Sequence, residues 1–244
     1  MRQRSTTSRK RSSCNIVAID RTLRKLYGNV SHISAPLGNK PNPLDELVYI
    51  QLSVRTPERE YETIYRALRR LVGGKWERLL SVESERAVAV LQRGGMARMK
   101  VQRLTDSFRM LQSHFGRVTL APLRRMANTE AEVLLLQLPG VGKKVARCIL
   151  LYSLGRDVFP VDSHCFRVLE RLGWAPQGLT YRRAHDPLQS LIPKPVRRSL
   201  HVNLIRHGRT ICTPHNPHCS GCALLRCCPT GKHRMDEMNV VTAG

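Results

Sequence analysis

Two residues in the middle of the chain have the types and the spacing to do chemistry on a sugar. Lys144 closes the run Leu138-Pro139-Gly140-Val141-Gly142-Lys143-Lys144, and Asp162 follows in Val161-Asp162-Ser163-His164. An unprotonated lysine amine is a nucleophile that can attack C1′ of a nucleotide and form a Schiff base once the base leaves. At a helix start, the positive helix end and neighbouring Lys143 both favour the neutral amine. A carboxylate beside a developing sugar cation stabilises an oxocarbenium-like transition state or activates the nucleophile. Each residue also has a plainer reading. Lys144 could be a solvated or phosphate-binding lysine, and Asp162 the N-cap of a helix from Ser163 to Leu172. His164 is a candidate to orient the site, with a packed, hydrogen-bonded histidine as its competitor.

The surrounding pattern gives these residues a setting. A helix ending at Leu138, the turn Pro139 to Gly142 and a helix from Lys143 to about Leu154 make a helix-hairpin-helix. Gly140 and Gly142 let the backbone turn sharply and approach a phosphate, and the first amides of the second helix can bind an anionic oxygen. With Val141 and Lys143 the element would grip DNA backbone without reading bases. A bare glycine turn between two packed helices is the alternative. The charge balance favours the first reading: Lys+Arg 41 against Asp+Glu 18 gives a net +23 over 244 residues, and such an excess is best tolerated beside a polyanion.

The remaining elements read as helices that could hold this hairpin. Ile16 to Tyr27 is amphipathic and stops at Gly28; Leu44 to Ser53 is apolar over most of its surface and should be buried. Thr56-Pro57-Glu58 looks like an N-cap opening a helix that runs to Leu71, and a further helix starts at Ser84-Glu85. Met96 to Phe115 carries the stripe Val101, Leu104, Phe108 and Leu111, and Thr129-Glu130-Ala131-Glu132 reads as a capping box. No segment alternates with a period of two. The expectation is an all-α chain of short-connected helices, long enough for one domain or two small ones.

Residues 1–13 hold five Lys/Arg among serines and threonines, a composition expected of a flexible basic arm or an organellar transit segment. No apolar run approaches the roughly 20 residues of a membrane span. Residues 232–244 read as a short mobile tail. Of eight cysteines, Cys212, Cys219, Cys222 and Cys228 are spaced C-x6-C-x2-C-x5-C, which suits a [4Fe-4S] cluster or tetrahedral zinc in a reducing, intracellular compartment. Cys14, Cys148, Cys165 and Cys227 read as small buried side chains or bystanders.

These motifs closely resemble the endonuclease III family of helix-hairpin-helix DNA glycosylases, from about Ile16 to Pro229. The resemblance makes Lys144, directly before Val145-Ala146, the Schiff-base nucleophile and Asp162 its carboxylate partner. It assigns the four cysteines to a [4Fe-4S] cluster, and His207-Gly208-Arg209 also matches its pattern. It implies two lobes: a six-helix domain over residues 44–160, and a cluster domain from residues 14–43 and 161–231. The DNA would lie in a groove between the lobes, with Arg206 and Arg209 among the phosphate contacts and the target nucleotide flipped out.

The activity implied is a base-excision glycosylase with β-elimination (AP lyase) activity. It would act, as a monomer and away from membranes, on double-stranded DNA containing oxidised pyrimidines or abasic sites. In a bacterium it would work in the cytoplasm or nucleoid, in a eukaryote in the nucleus or an organelle. Arg55 stands where the family commonly has glutamine, which brings charge to any side chain filling the gap left by the base. The rivals are a mismatch thymine/uracil glycosylase, an adenine glycosylase, and a non-catalytic iron-sulfur DNA-binding protein. The adenine enzymes use a glutamate on the first core helix, where this chain has Ile50, with Glu46 one turn away.

Overall fold

The computed structural model describes residues 14–30, 37–176 and 178–242; the expected basic arm, residues 1–13, lies outside them. Eleven α-helices are present among the described residues, and no strand. They are α1 (Ile16–Tyr27), α2 (Pro43–Ser53), α3 (Tyr61–Leu71), α4 (Ser84–Leu91), α5 (Ala97–Phe115), α6 (Asn128–Gln137), α7 (Lys143–Tyr152), α8 (Ser163–Arg171), α9 (His185–Leu191), α10 (Arg197–Thr210) and α11 (Pro229–Thr242). The chain divides into two compact units, His32–Arg156 and the flanking segments Met1–Ser31 with Asp157–Gly244.

In the unit His32–Arg156, α2 is the central element and packs against α3, α5 and α7. Asn42 starts it by accepting the Leu44 amide (2.9 Å), with Pro43 at the first helical position. Leu44, Leu47, Val48, Ile50 and Leu52 are all buried; at about 1.5–3 kcal/mol each, they anchor this core. The α5 stripe Val101, Leu104, Phe108 and Leu111 is buried as its period predicts, and Gly116 stops the helix at φ 73°. Residues 37–40 belong here, because the Lys40 amide and the Asn39 side chain both bond Glu46, and Ser153 Oγ donates to the Lys40 carbonyl.

Two expected caps are corrected. Thr56 caps nothing: its hydroxyl lies 2.6 Å from the Leu52 carbonyl and 2.8 Å from that of Gly94, and accepts from the buried ammonium of Lys100 (2.6 Å). A charged donor outcompetes a neutral amide for that oxygen, and α3 begins only at Tyr61 after a short 3-10 turn. Helix α6 starts at Asn128, ahead of Thr129, with Glu130 reaching back to the Ala127 amide (3.0 Å). Glu132 pairs instead with buried Arg147 on α7 (3.1 Å), which fastens the two helices of the hairpin.

In the other unit, α10 is buried along most of its length and packs on α1 and α8. Asp20 of α1 accepts from Ser199 (2.6 Å), and Tyr27 meets His207 Nδ1 at 3.1 Å. Arg206, expected on phosphate, donates to the Tyr27 carbonyl (2.7 Å) and closes the end of α1. Cys14 and Cys227 are no bystanders: they form a disulfide across 213 residues of sequence, a non-local pairing that residue spacing does not encode. The segment expected as a mobile tail from Lys232 is helical to Thr242, as its Lys, His, Arg, Met and Glu residues are compatible with helix.

Candidate catalytic and nucleic-acid-binding site

The hairpin forms at the expected residues. Leu138 caps α6, Gly140 takes φ 77° where a side chain would be strained, and the Val141 amide closes the turn on the Leu138 carbonyl (3.0 Å). A Cβ on Gly140 would also strike Arg103 Cδ at 2.7 Å, whereas one on Gly142 would meet nothing within 4 Å. Gly142 is the N-cap of α7 and brings no side-chain cap to its first turn, the kind of helix end that can take an anion. Val141 is 7 % exposed and its amide is engaged in the turn; it shapes the hairpin and presents no side chain. Lys143 and Lys144, both half-buried, occupy the first turn of α7.

In the same unit α2 supplies Glu46, which is 0 % exposed. Its carboxylate accepts from Asn39 Nδ2 (2.7 Å) and from the Lys40 amide (2.6 Å). Burial pushes its pKa up to about 7 against these bonds and the Lys144 and Lys40 charges. Because the folded state holds this proton more tightly than the unfolded chain, its contribution is fully present below about pH 4.5 and is lost as pH rises through about 7, roughly 3 kcal/mol in all.

Arg55 is exposed and sits at φ 52° in the loop after α2, a conformation that costs of order 1 kcal/mol in a non-glycine residue. Lys100 holds the loop, donating to the Leu52 carbonyl (2.9 Å), to Thr56 Oγ1 and to the Gly94 carbonyl (2.7 Å). Met96 is also left-handed, at φ 55°, and 37 % exposed. A Cβ on the adjoining Gly95 would meet the Arg55 carbonyl at 3.6 Å, so the two loops are neighbours. Sequence reading missed Met96 and Lys100; the Gly94-Gly95 pair ahead of Met96 was the available signal.

In the other unit Asp162 caps α8, its Oδ1 accepting the Cys165 amide at 2.7 Å. The loop leading to it is fixed by Arg197, which reaches the Asp157, Gln189 and Ile192 carbonyls, and by the Phe159 amide on Gln189 Oε1 (2.9 Å). His164 is half-buried against Gly208, where a Cβ would come within 2.9 Å, and its Nδ1 meets Arg167 at 3.1 Å. Burial lowers its pKa, Asp162 opposes that shift, and Arg167 and Arg209 reinforce it. The imidazole is packed and neutral near pH 7, and Arg209 beside it is exposed. Asp162, His164 and Arg209 thus share one neighbourhood, while Lys144, Gly142 and Arg55 belong to the hairpin's unit.

Cys212, Cys219, Cys222 and Cys228 line one cavity with His207, Leu172 and Leu224. Burial raises the Cys222 thiol to about 11, and the other three cysteines add to the effect. Arg171 Nη1 lies 3.2 Å from Cys212 Sγ and the Gly231 amide 3.2 Å from Cys228 Sγ. No three metal-ligating side chains among the described residues are grouped as for a single ion.

Comparison with known proteins follows the same lines, although no family model matches the chain. A candidate DNA glycosylase of Arabidopsis thaliana is 32 % identical over 170 residues, 70 % of this chain; the chain spans 57 % of that relative's length. Endonuclease III of Thermotoga maritima is 28 % identical over 193 residues, covering 79 % of this chain and 85 % of the relative. Among solved structures, a non-covalent endonuclease III–DNA complex superposes with a TM-score of 0.77 at 24 % identity, over 91 % of this chain and 97 % of that one. The all-helical architecture, the hairpin with its lysine and these likenesses agree: the chain has the helix-hairpin-helix DNA glycosylase fold and is similar in sequence to endonuclease III.

Proposed function

We propose that the protein is a base-excision DNA glycosylase with AP lyase activity, acting as a monomer inside the cell on double-stranded DNA that carries an oxidised pyrimidine or an abasic site. The observation that carries this reading is the placement of Lys144 in the first turn of α7, two residues after the glycine N-cap Gly142, which brings no side-chain cap of its own. Phosphate bound there would hold the backbone beside the amine. Lys144 attacks C1′ of the flipped nucleotide, the base departs, and the resulting Schiff base acidifies C2′ so that the 3′ phosphate leaves by β-elimination. Asp162 offsets the positive charge on the sugar. Gly140, Gly142 and Lys143 hold backbone, Arg209 and His164 contribute from their own unit, and Val141 keeps the turn.

Arg55 bears on the choice of base. Its guanidinium is carried on a strained, well-fastened loop, and it offers an orphan base more donors than an amide would. That favours, as a second reading, removal of a mispaired thymine or uracil. Borohydride trapping on duplexes holding an oxidised pyrimidine, a mispaired thymine or uracil, or an abasic site tests both readings. The wild-type protein is expected to give a covalent complex with the oxidised pyrimidine; no complex on any duplex would sink the lyase mechanism.

The four cysteines fit a [4Fe-4S] cluster better than zinc. They line one cavity, their spacing is the one the resemblance assigns to a cluster, and zinc ribbons more often present two separated C-x2-C knuckles. Bound there, the group would pin the loop from Cys212 to Cys228 against α8, with Arg171 and the Gly231 amide donating to sulfur. Anaerobically purified protein is expected to be brown, with a broad absorbance near roughly 400 nm. Colourless protein with stoichiometric zinc would overturn the assignment.

A further inference from the structure

We propose that Cys14 and Cys227 form an exchangeable redox site: a low-molecular-weight disulfide closes their bridge, a low-molecular-weight thiol opens it, and the closed bridge clamps the four-cysteine loop to α1 and slows loss of the metal group held there. The clamping role rests on the reading of Cys212, Cys219, Cys222 and Cys228 as cluster ligands; the exchange itself does not.

Cys14 immediately precedes Asn15, the N-cap of α1, whose side chain accepts the Ala18 amide at 2.7 Å. Cys227 ends the short 3-10 turn Leu225–Cys227, and Cys228, the last of the four, follows it directly. The bridge therefore joins the start of α1 to the far corner of the cysteine loop. Helix α1 already holds the near corner. It packs on α10, with Ser199 donating to Asp20 (2.6 Å) and Arg206 to the Tyr27 carbonyl (2.7 Å), and α10 ends at Thr210, two residues before Cys212. Tyr27 also meets His207 Nδ1 at 3.1 Å, and His207 Nε2 lies 3.6 Å from Cys222 Sγ. With the bridge closed, both ends of residues 212–228 are tied to one helix. With it open, the Cys228 end is left to noncovalent contacts such as the Gly231 amide on its sulfur (3.2 Å).

Cys14 and Cys227 are both half-buried, open to a small reagent in a way that Cys148 and Cys165, 3 % and 0 % exposed, are not. In the reducing compartment proposed for this protein small thiols are abundant, so a bridge with this access is subject to exchange. Closure takes two displacements. The thiolate of one cysteine attacks a sulfur of the small disulfide, whose S–S bond breaks and releases one small thiol. The second cysteine then attacks the protein sulfur of the mixed disulfide, forms the Cys14–Cys227 bond and expels the other small thiol. The protein pair loses two electrons, the small disulfide gains them, and the two thiol protons pass to the departing thiolates. Opening is the reverse. The chain brings together two cysteines 213 residues apart, and closing so long a loop restricts the unfolded chain and stabilises the fold.

The test uses the full chain, purified anaerobically with its metal and equilibrated at one fixed pH with mixtures of reduced and oxidised glutathione. After an acid quench and alkylation, mass spectrometry of a digest measures the linked Cys14–Cys227 peptide. Its fraction should rise from near zero to near complete across the series. Iron release to a ferrous chelator, followed by the absorbance near roughly 400 nm, is then compared between the two end states. The closed form should release iron at least about five-fold more slowly, because release needs a local opening that the bridge resists. Cys14→Ser lies outside the four ligands and leaves the Asn15 cap in place; it should release iron at the open rate in both buffers, which also controls for direct attack of glutathione on the metal group. No linked peptide at any ratio, or one that excess reduced glutathione never opens, would overturn the exchange. Equal release from the closed and open forms would overturn the clamp and leave the cluster reading intact. Protein that never carries iron would overturn the cluster reading and the clamp with it, and the linked-peptide series would still decide the exchange.

Discussion

Lys144→Ala is expected to abolish covalent capture of an abasic-site duplex by borohydride, with the loss complete at any exposure time, while equilibrium binding to the same duplex weakens no more than several-fold. The separation follows from where the lysine sits. Its backbone belongs to the proposed phosphate-holding start of α7, which the substitution leaves in place, together with the Gly140 turn and the buried Arg147–Glu132 bridge between α6 and α7. One phosphate contact among several contributes modestly to affinity, whereas a missing nucleophile has no substitute. Lys143 cannot stand in, because successive residues on a helix point about 100° apart. Lys143→Ala should therefore still form the adduct and lose mainly salt-sensitive affinity. The control is decisive in both directions: capture that persists in Lys144→Ala and disappears in Lys143→Ala would exchange the roles of the two residues. A Schiff base formed by neither would leave the hairpin as a backbone grip alone.

The hairpin was legible in the sequence because everything that makes it is local. Glycines at 140 and 142, the apolar run before them and the basic helix start after them dictate a turn with an open end, and the structure has the same turn within a residue or two. Buried charge was not legible. Lys100 and Glu46 lie on helical faces where a charged residue ordinarily meets water, and only the assembled core shows one ringed by two carbonyls and a hydroxyl and the other held by an amide and an asparagine. Lys100 in turn took the Thr56 hydroxyl that local pattern assigned to a helix cap. The Cys14–Cys227 disulfide has the same origin in tertiary contact, its partners being far apart in sequence. By contrast the four-cysteine spacing sits within one short loop, and the structure lines one cavity with it.

Asp162 is the residue whose two readings, cap and catalyst, were both open in the sequence, and the structure makes the cap real through the Cys165 amide at 2.7 Å. The two roles respond differently to chemistry. Asparagine caps a helix about as well as aspartate, whereas alanine loses about 1 kcal/mol. Only a carboxylate can offset a growing positive charge on the sugar, and removing one such group typically costs about 100- to 1000-fold in rate. Asp162→Asn is therefore expected to melt within about 2 °C of wild type yet excise its base at least about 100-fold more slowly in single turnover. Asp162→Ala should be as slow and also melt about 2–4 °C lower. Covalent capture on a preformed abasic site, where no base has to leave, should suffer less in Asp162→Asn than excision does, because the sugar cation of base departure is bypassed. If Asp162→Asn excises at the wild-type rate, the carboxylate is a helix cap and nothing more, and the charge opposing the sugar cation must come from another residue.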